Sequence, residues 1–129
     1  MKVILKIKEK GQALVTLLFF VVIALTITSA AIIIIITNSI SSSKLMGGEL
    51  AYYAAESGIE NALLRLLRDP DYAGETLTIE DVTVTVTATG SANTKTVVSV
   101  GENGNFKRTV QAQMTYNSGY YSFSNWKEL

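Results

Sequence analysis

Between Gln12 and Ser43 the chain carries no charged residue, and this stretch more than any other limits what it can fold into. From Ala13 to Ile36 the only polar side chains are Thr16, Thr26, Thr28 and Ser29. At ~1.5 Å per residue a helix over that stretch is roughly 36 Å long, enough to cross the hydrocarbon core of a bilayer. Immediately before it lies Lys6-Ile7-Lys8-Glu9-Lys10-Gly11, a short basic arm ending in glycine. An ordinary secretory leader has a shorter apolar segment and a small-residue cleavage site beyond it. Here the glycine precedes the apolar run. The positive-inside tendency places Lys2, Lys6, Lys8 and Lys10 on the cytoplasmic side and sends the rest of the chain outward, and Lys44 alone on the far side does not contest that.

With 129 residues there is room for one membrane helix and one small exposed domain, but not for two independent cores. The eleven basic and eleven acidic residues balance; without Met1 to Gly11, seven basic residues would face ten acidic ones, a net charge of −3. That is not the basic footprint of a nucleic-acid binder. Cysteine and histidine are both missing from the sequence. Disulfides therefore cannot brace the exposed domain. The commonest metal ligands and the usual acid–base and nucleophilic pairs are gone as well; an enzyme would have to be built on carboxylates, serine or lysine alone, and neither an enzyme nor a cofactor site is expected.

After the apolar run comes Thr37-Asn38-Ser39-Ile40-Ser41-Ser42-Ser43-Lys44, then Leu45-Met46-Gly47-Gly48. Serine and glycine are weak helix formers, glycine costing ~1 kcal/mol relative to alanine. Two readings fit: a linker between anchor and domain, or a weakened point in one long helix. From Glu49 to Arg68, Tyr52, Ala55, Ile59, Ala62, Leu63, Leu66 and Leu67 recur at three- and four-residue spacing, so an amphipathic helix is expected. Glu49 in its first turn and Arg65 and Arg68 in its last suit the helix dipole. Asp69-Pro70 stops it.

Thr78 to Thr89 and Lys107 to Tyr116 alternate strictly. Val82, Val84, Val86 and Ala88 share one face, as do Val110, Ala112, Met114 and Tyr116, which is the period of half-buried strands. Thr94 to Val100 reads as a strand between turn-prone Gly90-Ser91-Ala92-Asn93 and Gly101-Glu102-Asn103-Gly104-Asn105. The expectation is an α+β fold: a membrane-spanning helix over 12–43, then 44–129 as an exposed helix packed on a small antiparallel sheet.

Other local patterns have plain structural readings. Asp69-x-Asp71-x-Ala73-Gly74 followed by Glu80 matches part of an EF-hand loop, but Ala73 cannot ligate and a strand follows it, so a helix-ending acidic turn is expected. Glu56 and Glu60 lie one turn apart without a partner for acid–base work and read as a solvated face. Ser57-Gly58 reads as a point of close packing. Tyr120, Tyr121, Phe123 and Trp126 read as a last strand or a cap over the sheet edge or core, with a partner-binding patch as the alternative.

The junction at Lys10-Gly11 resembles the class III leader of type IV pilins and type II secretion pseudopilins. In that family a prepilin peptidase cuts after the glycine and leaves the hydrophobic helix on the mature protein. The resemblance implies that 1–11 is a cleaved leader, with Lys6, Lys8 and Lys10 as its basic part, and that cleavage between Gly11 and Gln12 makes Gln12 the new N-terminus. Most pilins carry glutamate as fifth mature residue; here that position is Thr16. This variant, with Ala51-Tyr52-Tyr53-Ala54-Ala55-Glu56-Ser57-Gly58-Ile59-Glu60-Asn61-Ala62-Leu63 downstream, is most similar to the PilX-type minor pilins and K-type pseudopilins. The implied partners are membrane lipid, the prepilin peptidase, other pilin subunits through the hydrophobic helix, and an assembly platform and ATPase. The chain has no Gly-x-x-x-x-Gly-Lys phosphate loop of its own. In the family that glutamate neutralises a neighbouring subunit's N-terminal amine, so Thr16 implies a low-copy subunit at or near the filament tip.

Two other classes share the anchor: a permanently anchored binding domain that never polymerises, and a soluble domain released by signal peptidase at Thr28-Ser29-Ala30. Ile32 to Ile36 would leave the soluble product with an exposed apolar end.

Overall fold

A computed structural model describes residues 2–129, with side chains from Gly11 onward. One helix, α1, runs from Lys2 to Arg68, followed by β1 (Gly74–Ile79), β2 (Val82–Gly90), β3 (Thr94–Asn103), β4 (Phe106–Asn117) and β5 (Tyr120–Glu128). The chain divides into two compact units, one up to Ser42 and one from Ser43 to Leu129. Because α1 is unbroken, the polar stretch after Ile36 and the Gly47-Gly48 pair lie inside a helix rather than in a linker. The helix ends where Asp69 N–H donates to the Arg65 carbonyl at 2.8 Å, just before Pro70.

In the second unit the strands form a five-stranded antiparallel meander in chain order. One face carries the valine rows: Val82, Val84, Val86 and Ala88 on β2, Val97 on β3, and Val110, Ala112 and Met114 on β4 are all buried. Against them pack Ala54, Ala55, Ile59, Ala62, Leu63 and Leu66 of α1. The expected helix stripe and strand faces are thus two sides of one core.

Helix and sheet approach closely at two glycines. A Cβ added at Gly58 would meet the Ser99 hydroxyl and lie 2.6 Å from Val84 Cγ1, and one at Gly101 would strike the carbonyl of Ala51. Glycine at 58 therefore allows the helix to sit on the sheet, which is the packing role expected of Ser57-Gly58. Ser99, fully buried beneath it, has no hydrogen-bond partner for its hydroxyl among the described residues.

Several expectations need correction. The alternating run from Thr78 to Thr89 is two strands, because the chain reverses at Glu80-Asp81, both with positive φ (47° and 67°). Gly101 belongs to β3, and the turn falls at Gly104-Asn105. Leu67 and Tyr116 are exposed: Leu67 ends the helical stripe, and Tyr116 lies beyond the last buried residue of β4. The aromatic tail does form a strand at the sheet edge, β5, yet every residue in it stays exposed, so it does not cap the core.

Candidate functional site

The site expected from the sequence lies at the start of the apolar helix. Lys6, Lys8 and Lys10 fall within α1, but their side chains lie outside the described residues. Gly11 and Gln12 are exposed, and a Cβ at Gly11 would touch nothing within 4 Å among the described residues. Gln12, Ala13, Thr16, Leu17 and Phe20 line a shallow groove along the helix.

Thr16 does not reach into that groove for a partner. Its hydroxyl donates to the Gln12 carbonyl at 3.0 Å, one turn back. The same device recurs along the segment: Thr26 donates to Ile23, Thr28 to Ala24 at 2.9 Å, Ser29 to Leu25 at 2.7 Å and Thr37 to Ile33 at 3.0 Å. An apolar medium provides no water to satisfy such groups, and an unpaired one costs several kcal/mol. With these hydroxyl protons bonded internally, the surface from Ala13 to Ile36 is almost wholly alkyl and aromatic. Leu14 to Ile36 are exposed throughout, with Phe20 69% and Ile35 66% accessible. The most apolar window of this helix has a mean hydropathy of 2.9 and none of it is buried. This one helix is long and apolar enough to span a membrane, consistent with a single-pass anchor.

The second unit holds the remaining candidates. Glu56 and Glu60 do not act as a pair: Glu56 accepts a hydrogen bond from the Tyr52 hydroxyl at 3.0 Å, while Glu60 is exposed. That bond is the main reason the Tyr52 phenol is held above its ordinary pKa. Around the EF-hand-like stretch, the Asp69 carboxylate accepts the Asp71 N–H at 3.0 Å and the Asp69 carbonyl accepts the Tyr72 N–H at 3.1 Å. Glu80 sits in the turn between β1 and β2. Among the described residues no three acidic side chains gather as a cation would need.

A cluster that sequence reading missed joins the end of α1 to β1. Glu75 Oε1 accepts from Asn61 Nδ2 at 3.1 Å and from the Tyr72 hydroxyl at 3.1 Å, and pairs with Arg65 Nε at 2.6 Å. Burial, together with the hydrogen bond to Glu75 and the charge of that carboxylate, pushes Tyr72 up to about 12, against the opposing pull of Arg65. Asn61 and Arg65 stand one helical turn apart, the only hint of this the sequence offers. The arrangement fastens the first strand to the helix and holds no reactive group.

Comparison with known protein families, curated proteins and solved structures finds no match for this chain.

Proposed function

We propose that the chain is a minor pilin or pseudopilin, a structural subunit of a type IV pilus or a related secretion filament. The observation that carries this reading is the exposed, charge-free helix directly behind Lys10-Gly11, its hydroxyls bonded within the helix. Such a helix can lie in lipid and later against other apolar helices without rearranging its polar groups. A compact helix-and-sheet unit follows on the same helix, as a pilin requires.

In this reading a prepilin peptidase hydrolyses the bond between Gly11 and Gln12 on the cytoplasmic side. The anchored subunit then exchanges lipid contacts for helix–helix contacts. Lipid is as apolar as leucine, so that exchange yields little free energy per residue. An assembly platform and an ATPase, supplied by other proteins, drive it.

Thr16 bears on position. A glutamate there would need a neighbour's amine to offset the cost of burying its charge. Thr16 carries no charge and its hydroxyl is already bonded to Gln12, so it enters an apolar filament core without a partner. It also provides nothing to a neighbour's amine. A subunit at the tip meets that condition. Counting this chain against the main subunit in sheared, purified filaments tests the proposal: a few copies per filament are expected, an abundant shaft component refutes the tip position, and failure to co-purify refutes the filament role.

A further inference from the structure

Gly47 and Gly48 stand in the middle of a helix, a few residues after Ser41-Ser42-Ser43, where the backbone should be soft. The turn end of the β3–β4 hairpin packs against it. A Cβ on Gly47 would lie 2.7 Å from Cδ2 and 2.8 Å from Cε2 of Phe106, so this ring fits only against bare glycine backbone. Asn103 Nδ2 donates to the Gly47 carbonyl at 3.3 Å. Asn103 and Phe106 are direct cross-strand partners, so one hairpin end delivers both contacts. Beside them the Arg108 guanidinium comes within 3.5 Å of where a Gly48 Cβ would be, and its Nη1 donates to Glu128 of β5 at 2.9 Å.

We propose that the turn end of the β3–β4 hairpin, Asn103 to Phe106, is a clasp on α1: seated, it holds the helix through Gly47-Gly48, and lifted, it lets the helix open there. The fastenings suit a contact that can release. They are one ring face and one long hydrogen bond, with the Arg108 guanidinium lying beside Gly48. None of the clasp residues belongs to the buried cluster of Ala54 to Met114. Opening at this end therefore requires less than unfolding the core. The clasp makes the stiffness of α1 depend on a segment more than fifty residues away in sequence, and it stands whether or not the chain is a filament subunit.

Amide hydrogen exchange on the full chain in lipid nanodiscs tests it. The Ala51 and Tyr52 amides bond to the Gly47 and Gly48 carbonyls in the i→i−4 pattern and report opening directly. Phe106→Ala should speed their exchange about tenfold or more while leaving Ile59 to Leu66 within about twofold. Asn103→Ala should act in the same direction, more weakly. Adding Gly47→Ala to Phe106→Ala should restore slow exchange, because alanine favours the helix and the ring that excluded it is gone. The clasp is refuted if both single variants leave Ala51 and Tyr52 unchanged, if both speed exchange uniformly through the domain, or if the double variant exchanges as fast as Phe106→Ala.

Discussion

Leu66→Ala tests the packing of α1 on the sheet most sharply. Leu66 is fully buried, one helical turn from Ala62, also fully buried. The substitution removes three carbons, worth about 2.4 kcal/mol at ~0.8 kcal/mol per buried methylene. A residual cavity adds to this, but the site lies two residues from the end of α1, where the chain can relax, so a total of about 3 kcal/mol is expected, inside the ~2–5 kcal/mol span of such truncations. A domain of this size shifts by ~4–8 °C per kcal/mol, which predicts a fall in midpoint of roughly 12–24 °C. Thermal and urea unfolding of a soluble 44–129 fragment, followed by circular dichroism, measures it. Leu63→Ala should behave similarly, and exposed Glu60→Ala should stay within about 0.5 kcal/mol. Equal midpoints for the three variants would refute the packing.

Gly58→Ala, which at a free helix position would stabilise, should instead cost about 1–3 kcal/mol in urea unfolding, since its methyl meets Ser99 and Val84. Ser99→Ala should be neutral or stabilising, because it removes a buried hydroxyl with no partner. Tyr72, held at about 12 against an ordinary 10.0, contributes stability that is fully present below pH ~10 and lost as pH rises toward ~12. Tyr72→Phe should therefore flatten the stability–pH curve in that alkaline window. Phe123→Ala, on the exposed edge strand, should cost no more than about 1 kcal/mol, well short of Leu66→Ala.

The valine rows were legible because a period of two survives any registration of the strands, and the α1 stripe because its apolar spacing is helical. The reversal at Glu80-Asp81 was not. Ile79 and Val82 pair directly across it, the turn lacks the glycine or asparagine that usually marks one, and its only trace in the pattern is a pair of adjacent polar residues, Glu80 and Asp81, between Ile79 and Val82. The fate of the aromatic tail was equally hidden, since composition shows that Tyr120 to Trp126 can form a strand but not whether anything covers it. Gly47-Gly48 read as weakness because the residues that brace it, Asn103 and Phe106, are distant in sequence. Likewise the Glu75 cluster draws on Asn61, Arg65 and Tyr72 from two elements. At the start of the apolar run the bond from Thr16 to the Gln12 carbonyl follows from helix geometry alone.

The central claim is that processing occurs before the apolar helix rather than beyond it. Its most direct test is the N-terminal residue of the protein recovered from membranes of cells with an active prepilin peptidase, read by intact mass and terminal sequencing. The recovered chain should begin at Gln12, and replacing Gly11 by a bulky residue should leave the precursor with its leader attached. A chain that retains Lys6 to Gly11 despite the peptidase, or one that begins after Ala30, would contradict it.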